Sequence, residues 1–86
     1  MPEISRFLGI VIKMFFDDHN PPHFHAEYSS DTALIDIRNL FVFSGRLSPR
    51  VMGLVIEWAT LHQQELLADW ERARAQQTLE KIAPLE

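Results

Sequence analysis

The strongest constraint on the fold of this chain is a change of hydrophobic period at Ser48-Pro49. Upstream, apolar residues alternate within short segments separated by turn formers; downstream they recur at steps of three and four. Period two belongs to strands and period 3.6 to helices, so a β half is followed by an α half. Ser48 is a favourable N-cap, and Pro49 suits the first helical position, where no N–H is needed. Val51, Leu54, Val55, Trp58, Leu61, His62, Leu66, Trp70 and Ala73 then form an amphipathic stripe that no proline interrupts. The stripe predicts one long C-terminal helix over about 49–77. At 1.5 Å per residue it extends roughly 40 Å, enough to overhang a small sheet. A kink or break near Leu61 to Gln64 is the alternative that lets both halves pack.

In the first half, strands are predicted over about 4–16, 23–28, 32–37 and 40–43. Within 4–16, Leu8, Ile10, Ile12, Met14 and Phe16 share one face, and Phe7, Val11, Lys13 and Phe15 the other. Both faces are largely apolar, so either both are covered or one meets a partner. Gly9 marks a bulge or a close backbone approach; a tight turn dividing the stretch is the alternative. Asp17 to Pro22 reads as a loop, and Ser29-Ser30-Asp31 and Arg38-Asn39 as turns. The expected fold is α+β: a small antiparallel sheet of about four strands, then the long helix lying across it, with 1–86 as a single domain.

Length and composition bound the function. A chain of 86 residues buries only a little over 60% of its unfolded surface, so its core is modest. With 47% hydrophobic and 23% charged residues it has the composition of a folded globule. The absence of cysteine excludes disulfides and thiolate zinc sites. A formal net charge of −4 argues against nucleic-acid binding over the whole surface, although Arg38, Arg46 and Arg50 lie close together in sequence. No basic n-region precedes an apolar stretch at the start, and the run from Phe7 to Ile12 is too short to cross a bilayer. A soluble cytoplasmic protein is the expectation.

Three of the four histidines fall in one window, His19-Asn20-Pro21-Pro22-His23-Phe24-His25, preceded by Asp17 and Asp18. Imidazole is the commonest protein metal ligand and titrates near neutrality, so this window is the candidate site. On an extended strand His23, His25 and Glu27 point one way and Phe24, Ala26 and Tyr28 the other.

The opening Met1-Pro2-Glu3-Ile4-Ser5-Arg6-Phe7, the octet Asp18 to His25, the helical Glu57-Trp58-Ala59, Leu61-His62, Glu65-Leu66-Leu67 and Asp69-Trp70-Glu71, and the closing Lys81-Ile82-Ala83-Pro84-Leu85 resemble a family of small bacterial proteins. That family is known as domain of unknown function 4160. The resemblance covers essentially the whole chain. It implies a toxin component of a bacterial toxin–antitoxin module, partnered by a small antitoxin-like protein of the domain of unknown function 2442 family. It carries no settled activity over to named positions.

Three readings of the histidine cluster stay open. In the first, His19, His23 and His25 hold a divalent metal, with Asp17 and Glu27 as further donors, for hydrolysis. In the second, His23 and His25 act without metal as general base and acid on RNA, with Arg38, Arg46 or Lys13 stabilising the phosphate. In the third, the octet builds a turn and a partner surface, and the protein is a non-enzymatic interaction module whose partner sits on the face of Phe7, Val11 and Phe15. The tentative site set is therefore His19, His23, His25, Arg38 and Arg46. Elsewhere, Trp58 and Trp70 read as core, and His62 as a core-edge histidine bonded to a backbone carbonyl. Arg72 and Arg74 read as a solvated face with Asp69 and Glu71. Arg46 and Arg50, cations beside the positive helix end, are consistent with a bound anion.

Overall fold

The structure, a computed structural model, describes residues 3–16 and 18–86; Met1, Pro2 and Asp17 lie outside the described residues. Five strands form one antiparallel meander in the order β1-β2-β3-β4-β5: β1 (Glu3–Phe7), β2 (Ile10–Lys13), β3 (His23–Tyr28), β4 (Asp31–Asp36) and β5 (Val42–Gly45). Two helices follow, α1 (Pro49–Leu61) and α2 (Gln63–Arg74). The α+β class is as expected, but the strand count and the single helix are corrected.

The stretch 4–16 is a hairpin, not one strand. Leu8 (φ 51°) and Gly9 (φ 81°) both have positive φ, the geometry of a two-residue turn whose twist matches antiparallel strands. The turn reverses the chain, so the period-two face assignment does not run across it. Phe7 is buried, its ring 5.4 Å from that of Trp58, while Leu8 is exposed. Phe7 therefore does not share a free face with Val11 and Phe15.

The strands expected over 32–37 and 40–43 are displaced to Asp31–Asp36 and Val42–Gly45. Asp36 explains the longer connection: its Oδ1 accepts from the Asn39 N–H at 2.8 Å, and its carbonyl accepts from Leu40 N at 2.9 Å. That local bonding holds 37–39 as a turn and delays β5.

The helix predicted over 49–77 breaks at His62, whose φ/ψ of −123°/24° is not helical. A continuous helix over 29 residues would run about 43 Å, longer than the molecule's largest extent of 34 Å. The break is pinned to the sheet. Gln63 Nε2 donates to the carbonyls of Ile37 and Arg38 at 2.7 and 2.9 Å, just past the end of β4. Both halves then bury their stripes: Val51, Val55, Trp58 and Ala59 from α1, and Leu66, Asp69, Trp70 and Ala73 from α2.

The core lies between the helices and one face of the sheet, with Ile10, Ile12, Phe24, Ala26, Ala33 and Ile35 fully buried. Residues 75–86 carry no helix or strand, yet they are tied down. Ile82 N donates to Ile4 O at 2.8 Å, and Trp58 Nε1 donates to Ala83 O at 2.8 Å. Asp69 is completely buried rather than solvated; its Oδ1 accepts from Arg72 Nη1 at 2.7 Å and from Glu80 N at 2.9 Å. These charge-assisted bonds compensate Oδ1, whereas Oδ2 is buried with no hydrogen-bond partner among the described residues.

Two glycines give a matched test of this architecture. A Cβ on Gly45 (φ 75°) would stand 2.1 Å from the Thr32 carbonyl oxygen, whereas one on Gly53 in α1 meets nothing within 4 Å. Gly45→Ala should cost about 2 kcal/mol or more, while Gly53→Ala should stabilise by about 0.5–1 kcal/mol. Urea unfolding of the two variants measures both signs.

Candidate metal centre

β3 begins at His23, and strand geometry places His23 and His25 on the same side of the sheet, opposite Phe24. Their rings lie 5.3 Å apart. The loop before β3 returns Asp18 to the same point. Its Oδ2 is 3.0 Å from His25 Nε2 and 3.3 Å from His23 Nε2. One ligand atom from each of Asp18, His23 and His25 falls within 4.8 Å of the others, the sole grouping of this kind among the described residues. Donors around a tetrahedral ion bound at about 2.0–2.1 Å stand about 3.3 Å apart, so these spacings already approach those of a filled coordination shell.

The prolines fix the orientation of the first imidazole. The Asn20–Pro21 peptide is cis, and the Pro21 carbonyl oxygen lies 2.8 Å from His23 Nδ1. A carbonyl only accepts, so Nδ1 carries the hydrogen and donates it. In the neutral ring Nε2 then bears a lone pair, and that lone pair faces Asp18 Oδ2. The same oxygen already sits against His25 Nε2. Two electron-rich atoms 3.3 Å apart need positive charge between them, either a second proton on His23 or a cation. A ligating histidine whose other nitrogen donates to a backbone carbonyl is also the usual second-shell arrangement of metal sites.

Aromatic walls hold the rings in place. His23 is buried, with the rings of Trp70 and Phe43 at 5.3 and 5.2 Å, the latter edge-on at 88°. Phe15 meets His25 edge-on at 4.6 Å. Asp18 and His25 are only half-buried, so the group opens to solvent on one side.

The other residues of the tentative set are exposed and make no side-chain hydrogen bond or ion pair to the trio among the described residues. His19 is exposed and is not among the grouped donors; it lines a cleft with Phe16, Asp18, Asn20 and Arg74. Arg38 is exposed in the turn after β4. Arg46 is exposed beyond β5, its N–H on Thr32 O, at the end of β4 remote from Asp36, the partner of His23. Glu27 is taken up by Lys13 at 3.0 Å, and Arg50 lines a separate cleft with Leu8, Tyr28 and Ser48. Among the described residues the His62 side chain bonds no backbone carbonyl: its Nδ1 donates to Glu65 Oε1 at 2.6 Å, and its ring lies 5.5 Å from that of Trp58 at a tilt of 40°. Asp18, Phe15, Phe43 and Trp70 were not in the tentative set. Asp18 had a signal, a carboxylate five and seven residues before two histidines of one strand face. The three aromatics had none, because only tertiary packing brings them to the site.

The family model for a domain of unknown function, DUF4160, matches residues 9–71, almost three quarters of the chain. The chain belongs to the DUF4160 family. The matched DUF4160 region runs from the β1–β2 turn into α2 and contains Asp18, both strand histidines and Trp70. Comparison with the curated proteins gave no match, and comparison with the solved structures gave none.

The geometry predicts the hydrogen position on one ring. In the metal-free protein at alkaline pH, ¹⁵N correlation spectra should show His23 as the Nδ1–H tautomer. An Nε2–H tautomer at His23 would contradict the Pro21 contact.

Proposed function

We propose that this protein binds one divalent transition-metal ion through Asp18, His23 and His25 and uses it for hydrolysis. The observation that carries this reading is the convergence of one donor atom each from Asp18, His23 and His25 within 4.8 Å, with His23 Nδ1 held on the Pro21 carbonyl and its Nε2 3.3 Å from Asp18 Oδ2. Two imidazoles and one carboxylate leave coordination positions open, as catalytic rather than structural sites do. A bound ion would polarise a substrate oxygen and generate a hydroxide-like nucleophile near neutral pH. The chain's own contribution is orientation: Pro21 sets the tautomer, Trp70, Phe43 and Phe15 hold the rings, and the open side admits solvent and substrate.

Metal-free acid–base cleavage of RNA has less support. Its phosphate-stabilising cations were Lys13, Arg38 and Arg46; Lys13 is paired with Glu27, and the two arginines lie outside the trio. The biological setting we infer from the family resemblance is that of a growth-inhibiting toxin held silent by a small antitoxin-like partner of the domain of unknown function 2442 family.

Two measurements test these parts separately. Untagged protein titrated with Zn²⁺, Mn²⁺ or Ni²⁺ should bind one ion per chain. His23→Ala and His25→Ala should each lose at least about 100-fold in affinity, since even removing an outer-shell partner costs 10–100-fold. Affinity should fall as pH is lowered, because ligating imidazoles must be unprotonated. Wild type binding no tighter than the two variants would overturn the metal reading. Induced expression in bacteria should arrest growth, with rescue by the partner gene and by His23→Ala. No growth defect would remove the toxin setting and leave the metal centre standing.

A further inference from the structure

Asp18 belongs to two features at once. It is the carboxylate of the metal-ligand trio, and it also lines an open cleft of about 290 Å³ with Phe16, His19, Asn20 and Arg74. Arg74 comes from the last turn of α2, His19 and Asn20 from the loop, and Phe16 from the end of the segment after β2. A guanidinium, an imidazole and a carboxamide thus line a space that shares Asp18 with the proposed metal centre. Among the described residues Arg74 makes no ion pair, in contrast to Arg72, which is bound to Asp69. Apart from Asp18, this wall is made of donors and one exposed aromatic ring.

We infer that this cleft takes the phosphoryl group of a small phosphate ester, and the inference rests on the metal reading of Asp18, His23 and His25. Guanidinium is the side chain whose planar fork matches phosphate oxygens two at a time, and His19 and Asn20 add single donors. Asp18 would repel an anion on its own; with a divalent ion at the trio its charge is neutralised, and one phosphoryl oxygen takes an open coordination position. Anion binding is therefore coupled to metal binding, each tightening the other. The exposed face of Phe16 is placed to meet an apolar or aromatic ester group. The chain's net charge of −4 and a single guanidinium among the residues lining the cleft favour a single phosphoryl group over a long polyanion. In hydrolysis, water adds to phosphorus, the ester P–O bond breaks, and the alcohol leaves with one proton of that water.

The test uses the untagged full chain with and without Zn²⁺, inorganic phosphate as the binding probe and p-nitrophenyl phosphate as the ester. Phosphate should bind the zinc-loaded protein and not the zinc-free protein. Arg74→Ala should weaken phosphate at least about tenfold, the scale of a lost charge-assisted bond, and raise KM for the ester more than it lowers kcat. Its zinc affinity should stay within about twofold of wild type. Lys81→Ala, which removes an exposed cation outside the cleft, should change none of these quantities. Phosphate affinity equal in wild type and Arg74→Ala, or undiminished without zinc, overturns the phosphoryl assignment while leaving the metal centre intact. Failure of wild type to bind zinc overturns both. Cleavage of an oligoribonucleotide with no binding of phosphate or the small ester would replace this proposal with a polyanion reading.

Discussion

The hydrogen bond from His23 Nδ1 to the Pro21 carbonyl is the constraint on which the rest of this site depends. It decides which nitrogen of a buried imidazole is a donor and which an acceptor, and it does so with a group that has no alternative role. Consecutive prolines supply carbonyls without N–H groups, so both can serve only as acceptors. Pro21 O takes His23, and Pro22 O takes the Ile37 N–H at 3.0 Å, joining the loop to the end of β4. The loop that orients the ring is thereby part of the sheet. With Nδ1 committed to Pro21, Nε2 is the nitrogen that stands 3.3 Å from Asp18 Oδ2, a contact that calls for either a second proton on His23 or a cation.

The packing of the helices serves the same ring. A straight helix could not have covered so short a sheet, and the break at His62 is what brings Trp70 down onto His23. Gln63, bonded to two carbonyls at the end of β4, fixes where α2 begins; Leu66, Trp70 and Ala73 then follow at helical spacing into the core. The buried Asp69 ties the last turns of α2 to the C-terminal segment through Glu80 N. Stability and function are therefore coupled through one element. The helix that completes the core is also a wall of the site and the source of Arg74 in the adjoining cleft.

Much of this was legible in the residues. The switch of period at Ser48-Pro49 marks the boundary between sheet and helices, and the Ser48 side chain does accept from Val51 N. The alternation of His23 to Tyr28 gives both the strand and the shared face of the two imidazoles. The departures have both local and tertiary causes. Leu8-Gly9 turns the chain inside the apolar run, the alternative that Gly9 offered; the hydrophobic pattern alone could not choose it, because a left-handed leucine leaves no trace there. Asp36 shifted β5 by bonding its own downstream backbone. The helix break was set by sheet length, a tertiary quantity. In the site, proximity in sequence did not place His19 with the grouped donors, since it lines the cleft, and Arg46 lies at the end of β4 away from His23.

X-ray absorption at the metal edge of protein loaded with one equivalent of Zn²⁺ addresses the central claim most directly, because it reports which atoms surround the ion. The account predicts a first shell of light donors at about 2.0–2.1 Å with the multiple-scattering pattern of two imidazoles, reduced to one imidazole in His25→Ala. An all-oxygen shell with no imidazole scattering would contradict it.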